Sequence, residues 1–310
     1  MIATPSPIDA AAALLGKGGL VAFPTETVYG LGADARNDHA VARVYEAKAR
    51  PTLNPLIAHV ADLAAAEELG FFNAAARTLA EAVWPGPLTL VVPRTGHCAV
   101  SRLASAGLDS IAIRVPAHPM AQALLQAVAF PVVAPSANPS GSLSPTTADH
   151  VRAGLGERAG MILDGGPCAI GLESTIVSCL GNVPRILRSG GLARSAIEAV
   201  LGRPVARFTY AAVLHSPGQL ESHYAPRAAL RLNASAPRPG EAWLGFGKSS
   251  VHGRNLSAKG DPVEAAANLF RMLHEIDAAG ATVIAIAPIP KAGLGEAIND
   301  RLRRAAAPRP

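Results

Sequence analysis

Over roughly the first 200 residues, short β-branched runs alternate with Ala-rich helical stretches, and this alternation restricts the fold more than any other feature. GLVAF, NPLIAHV, PLTLVVP, SIAIRVP and FPVVAP read as strands. A stretch from Asp9 to about Gly16, NDHAVARVYEAKAR from Asn37, ADLAAAEELG, NAAARTLAEAVW, HPMAQALLQAV and TTADHVRAGLG read as helices. GMILDGG is a further strand, and STIVSCL and RILRSG bracket a turn at GNVP. Some strands follow each other with no helix between them, so the sheet is expected to be mixed. From Pro204 to Ala229 no period survives. Order then returns with strands at AALRLN, EAWLGFG and ATVIAIAP and helices across DPVEAAANLFRMLHEIDAAG and near GLGEAINDRLRRAAA. The expected class is α/β: a twisted open mixed sheet followed by a smaller α/β domain.

At 310 residues the chain is long enough for two domains, and 49% hydrophobic against 16% charged residues suits a large core. No apolar stretch approaches the roughly 20 residues of a membrane helix. The N-terminal MIATPSPIDAAAALLGKGG lacks a basic start before an apolar run, so no secretory signal is expected. Cys98, Cys168 and Cys179 show neither metal-ligand spacing nor a disulfide framework, which points to a reducing, cytoplasmic setting. A formal charge of +5 and a pI near 9.4 suit anionic partners such as nucleotide, pyrophosphate or RNA, although extra surface arginines produce the same figure. The tail RLRRAAAPRP holds four arginines and reads as a solvated end.

Four predicted strands end in polar loops: PTETVYGLG, PSANPSGSLSPTT, PCAIGLEST and RSGG. Ligands of open α/β sheets bind at the carboxyl ends of strands. Small hydroxyls and glycine amides at one such edge suit a bound anion or amino acid, so a pocket is expected there. Taken alone, each loop is an ordinary turn, and Thr25 or Glu26 could simply order theirs as a capping box. In KARPTLNPLIAH, Lys48 and Arg50 end a helix, a favourable place for cations in any case, but Arg50 could also fork onto phosphate oxygens. There is no GxxxxGK[ST], no GxGxxG opening a helix, no GxSxG and no His/Cys metal constellation.

In order and spacing, FPTETVYGLGADA, KARPTLNPLIAHV, WPGPLTLVV, IAIRVPAHP, APSANPSGSLSPT, DGGPCAIGLESTIV and RILRSGG resemble the YrdC-like domain. With SPGQLESHYAP and the second domain, the chain resembles the two-domain form of the threonylcarbamoyl-AMP synthases along nearly its whole length. The resemblance implies a YrdC-like catalytic domain at 1–203, a linker closing over the active site at 204–229 and a Rossmann-like domain at 230–310. It implies synthesis of L-threonylcarbamoyladenylate from L-threonine, bicarbonate and ATP, with pyrophosphate released and Mg²⁺ carried on ATP. The product would pass to the tRNA threonylcarbamoyl-transfer machinery for t6A37, with weak tRNA binding and no membrane partner. By the same likeness, Lys48 and Arg50 are the catalytic cations. Thr27, His59, Arg114, Ala134 and Ser174 would hold L-threonine. Arg50, Asn54, Ser110, Ser136, Asn138, Ser144, Arg188 and Tyr224 would hold ATP, the last reaching in from the linker, and no side chain would ligate a metal. Ser178 stands where relatives commonly carry an acidic residue. Two other readings remain. An RNA-binding module of the same fold fits the charge but lacks stacking aromatics. A carbamoyl-transfer enzyme of the hydrogenase-maturation type needs a zinc finger that three lone cysteines cannot build.

Overall fold

The computed structural model describes residues 6–207 and 223–308. Most of its helices start where the sequence supplies a capping side chain. Ser6 caps α1 (Pro7–Gly16) in a capping box with Asp9, and Asn37 caps α2 (Asp38–Lys48). Helix α2 stops at Ala49, which takes a left-handed φ of 48° just before Pro51. That stop places Lys48 in the last helical turn and Arg50 at the start of a loop.

Between these helices, β1 (Val21–Phe23) and β2 (Gly30–Asp34) pair as an antiparallel hairpin, Val21 opposite Gly32. The stretch read as a loop after one strand is therefore the turn and second arm of a hairpin. Two glycines hide the strand pattern of GLGAD. A Cβ on Gly32 would come within 2.8 Å of the Phe23 ring, so the glycine is what allows the close approach. The chain continues through β3 (Ile57–His59), α3 (Leu63–Glu67), α4 (Ala74–Val83), β4 (Leu88–Pro93), β5 (Ser110–Arg114) and α5 (Pro119–Val128). It then forms β6 (Val132–Val133), α6 (Ala148–Leu155), β7 (Met161–Ile162), β8 (Thr175–Ser178), β9 (Arg185–Arg188), α7 (Arg194–Leu201) and β10 (Ala206–Arg207).

These ten strands make one mixed sheet in the order β10-β9-β8-β4-β5-β3-β6-β2-β1-β7. A second sheet, all parallel, is built from β11 (Ala229–Arg231), β12 (Ala242–Gly245), β13 (Arg254–Asn255) and β14 (Val283–Ile286) in the order β11-β14-β12-β13. Helices α8 (Pro262–Ala278) and α9 (Gly295–Ala305) accompany it. The expected α/β class, with a mixed sheet and a smaller second sheet domain, is what the structure shows. Of the stretch from Pro204 to Ala229, residues 208–222 lie outside the described residues, so the expected linker over the site falls largely there.

The large sheet is asymmetric. Ile111 and Ile113 of β5, Ala58 of β3, Leu90 of β4 and Val177 of β8 enter the main apolar core. The alternate positions Ile57, Val91, Ala112 and Ile176 form a small apolar patch of their own on the opposite face. A separate cluster joins the two domains: Val28, Leu143, Leu172 and Tyr224 pack with Leu269, Phe270 and Ile298.

Candidate active site

The opposite face of the sheet carries the chemistry. Strand β5 sends Ser110, Ala112 and Arg114 to it, and β3 sends Ile57 and His59, whose register partners on β5 are Ala112 and Arg114. Around the small apolar patch lies a pocket lined by Thr27, Arg50, His59, Arg114, Ser136, Ser174, Arg188 and Tyr224, with Ala134, Glu173 and His223. The polar loops therefore meet, but not along one carboxyl edge. β1 and β6 run opposite to β3, β5 and β9, and Ser174 precedes its strand rather than following it. The pocket lies across a sheet face, which mixed strand order makes possible and an all-parallel sheet would not.

The hairpin turn divides its labour. Thr25 Oγ1 donates to the Val28 carbonyl at 2.6 Å and accepts from the Thr27 and Val28 amides, so Thr25 orders the turn. Glu26 grips Arg114 Nη2 at 2.6 Å and the Ala117 amide at 2.9 Å. Burial raises its carboxyl pKa, but the adjacent Arg114 outweighs this and leaves it below the ordinary value. Tyr29 donates to the Gly166 carbonyl, and Thr27 alone of the four reaches the pocket.

Arg114 also donates through Nε to the Gly86 carbonyl at 3.3 Å, which fixes its plane. His59 lies with Nδ1 3.2 Å from the Ile57 carbonyl. Burial first, and Arg114 second, push its pKa down to about 3, so the ring is neutral at pH 7. Arg50 donates to the Asn54 and Pro55 carbonyls at 3.3 and 3.2 Å, and Arg188 to the Ser174 carbonyl at 2.9 Å. Burial lowers the Arg50 pKa to about 10, and the Arg188 charge adds to that fall. Buried guanidiniums that repel one another mark a place prepared for an anion.

Asn54 and Asn138 are almost wholly buried. Both Asn54 amide atoms and Asn138 Oδ1 lack a partner among the described residues. Neither is a pocket-lining residue, yet such orphans beside a cation cluster suit a ligand that completes them. Lys48 corrects the expected picture. Its ammonium is buried behind the wall and donates to the Ser136 and Asn138 carbonyls at 2.5 Å each, tying the PSAN loop to α2. Ser144 is also behind the wall, donating to Glu173 Oε1. Ser110 is not at the pocket. It shares a face with Arg114 but lies four residues up the strand, about 13 Å away. Sequence reasoning passed over Glu173 and His223, both pocket-lining. The GLEST and HYAP stretches that hold them were the available signal. Tyr224 adopts a left-handed φ of 63°, rare for a bulky residue and common where strain serves a site.

The RSGG loop seals the far side. A Cβ on Gly190 would lie 2.3 Å from the Glu173 carbonyl oxygen and 2.5 Å from that of Ser174. Gly190→Ala is expected to push this backbone outward, lowering stability by about 2 kcal/mol or more in urea unfolding and weakening ligand binding at Ser174.

Fold and pocket together define an α/β protein with an arginine-lined small-ligand site on one face of a mixed sheet. A family model described as telomere recombination matches residues 13–190, and one described as the threonylcarbamoyl-AMP synthase C-terminal domain matches residues 192–307. The threonylcarbamoyl-AMP synthase of Bacillus subtilis is 40% identical over 96% of this chain and 92% of its own. That of Pyrococcus abyssi is 40% identical over 96% of this chain and 93% of its own. The crystal structure of P. abyssi Sua5 complexed with L-threonine matches with a TM-score of 0.89 at 38% identity, covering 96% of this chain and 94% of that one. The chain belongs to the threonylcarbamoyl-AMP synthase family.

Proposed function

We propose that this chain is an L-threonylcarbamoyladenylate synthase, a nucleotidyltransferase that joins L-threonine, bicarbonate and ATP and releases pyrophosphate. One observation carries the reading: Arg50, Arg114 and Arg188 converge in one buried pocket that also holds Thr27, His59 and Ser174. Two anions, an amino-acid carboxylate and a polyphosphate, need such a site.

In this reading Arg114, held in plane by Glu26, forks onto the threonine carboxylate, with Thr27, neutral His59, Ala134 and Ser174 around the rest of the amino acid. The threonine amine adds to carbon dioxide derived from bicarbonate, giving a carbamate. A carbamate oxygen attacks the α-phosphorus of ATP, and the bond to pyrophosphate breaks. Arg50 and Arg188 offset the repulsion between carbamate and phosphate and stabilise charge on the leaving group. Asn54, Ser136, Asn138 and Tyr224 complete the nucleotide side, Ser144 supports it from behind through Glu173, and Ser110 extends the same face. Lys48 acts from behind, positioning the PSAN loop and adding positive potential. ATP brings Mg²⁺ on its phosphates as part of the substrate. No covalent nucleophile is needed, so positioning supplies most of the rate.

The division into a catalytic domain at 1–203, a closing linker at 204–229 and a Rossmann-like domain at 230–310 belongs to the same proposal. So do a cytoplasmic location, delivery of the product to the tRNA threonylcarbamoyl-transfer machinery and weak tRNA binding. Among the described residues no helix is long and apolar enough to cross a membrane. Pyrophosphate release is expected to require both L-threonine and bicarbonate. Release that ignores threonine, or none from folded protein, overturns the assignment and favours the RNA-binding alternative.

A further inference from the structure

We propose that Arg301, on helix α9 of the second domain, is a positioning residue that holds the nucleotide side of the active site in place. The inference rests on the synthase reading. Arg301 is 1% exposed, the largest fully buried side chain among the described residues. Its Nε donates to Glu173 Oε2 at 2.8 Å, and its Nη2 to the Ser189 carbonyl at 3.0 Å. Its guanidinium carbon lies 4.8 Å from the centre of the Tyr224 ring, a cation–π contact.

Each of these three partners leads to the pocket. Glu173 lines it and takes the Ser144 hydroxyl on its other oxygen. Ser189 follows Arg188, whose guanidinium lines the pocket. Tyr224 lines it directly. A second tie from the same helix supports the arrangement, because the His223 amide donates to the Arg304 carbonyl at 3.2 Å. One guanidinium of the second domain thus joins the GLEST strand entry and the RSGG loop of the first domain to the HYAP segment between the two. A planar fork with a flat face suits this task, since it can hold a carboxylate and a carbonyl in its plane while an aromatic ring meets its face. Most of the amino-acid side is built differently. Thr27, His59 and Arg114 sit on the hairpin turn, β3 and β5, and none hydrogen-bonds to α9 among the described residues; only Ser174, next to Glu173, lies close to the Arg301 contacts.

The test separates the two substrates. Full-length wild type, Arg301→Lys and Arg301→Met are compared by pyrophosphate release across ATP concentrations, by calorimetric titration with L-threonine and by thermal melting. The lysine variant keeps a buried cation opposite Glu173 and remains usable if the methionine variant does not fold. A positioning role predicts that KM for ATP rises at least about tenfold and kcat falls in the lysine variant, while the L-threonine Kd stays within about threefold. A lower melting temperature with both substrate parameters unchanged overturns the proposal, since Arg301 would then only stabilise the fold. Loss of threonine affinity along with ATP in folded protein also overturns it, because the pocket would have collapsed as a whole. A wild type with no threonine-dependent release instead overturns the synthase reading itself.

Discussion

Arg50→Ala is expected to lower threonine-dependent pyrophosphate release by about a hundredfold or more while leaving the protein folded. The size follows from what the side chain is placed to do. Arg50 is 8% exposed and lines the pocket, so its charge acts in a medium that screens it poorly. Removing one preorganised donor from a charged transition state costs about 10²–10³ in kcat. Stability should respond little, for two opposing reasons. The Asn54 and Pro55 carbonyls lose their donor, which costs about 1–3 kcal/mol. Against that, the substitution relieves the repulsion between Arg50 and the Lys48 and Arg188 charges in the unliganded protein. Steady-state assay with thermal melting checks both halves. A folded variant with near wild-type turnover would remove Arg50 from the phosphate site.

The second large effect concerns acid. Burial pushes the pKa of His59 and His223 down to about 3, and burial with the neighbouring His274 pushes that of His150 to about 4. An unfolded histidine titrates near 6.5. Between that value and the depressed ones, the unfolded chain takes up protons that the folded chain refuses. Stability therefore falls as pH drops, with a slope of about 1.4 kcal/mol per pH unit for each such histidine. Three of them give a loss of several kcal/mol between pH 6.5 and 5, a large part of the 5–15 kcal/mol typical of a whole protein. Carboxylates act lower. Burial works against the Glu173 carboxylate, but Arg301 and Arg188 outweigh it and hold the pKa near 2, so its contribution fades only below about pH 4.5. Urea midpoints measured from pH 7.5 to 4.5 should decline gently at first and steeply in the lower half of that range, and His150→Gln should flatten the slope. A constant midpoint down to pH 5 would mean that the folded protein accepts protons on these rings.

Much of this site could be seen in the sequence because local rules governed it. Asn37 announced α2, and Pro51 its end, which placed Lys48 and Arg50. Clean alternation in SIAIRVP marked Arg114 as lying on the face opposite Ile111 and Ile113. Three things were hidden. Strand β2 carries glycines for close packing and so imitates a loop. Lys48 stands at a helix end as expected, yet whether its ammonium enters the pocket or ties down Ser136 depends on a loop 88 residues away. Arg301 belongs to a run of arginines that reads as a solvated tail, whereas its partner Glu173 lies 128 residues earlier. Local pattern records which face of an element is apolar. It does not record which distant carboxylate will meet a cation.

The two-sided character of β5 has a consequence for how this enzyme can change over generations. Its residues are assigned alternately to the packed interior and to the substrate, so odd and even positions answer to different selective pressures. Point substitutions can alter one set without touching the other. A single-residue deletion between Ser110 and Arg114 cannot. It would turn the strand over, carrying the guanidinium toward Leu90 and Val177 and an isoleucine toward the ligand. In this strand, length is inherited more strictly than identity, and divergence among relatives should be sought in exchanges of side chains, with gaps confined to the turns on either side.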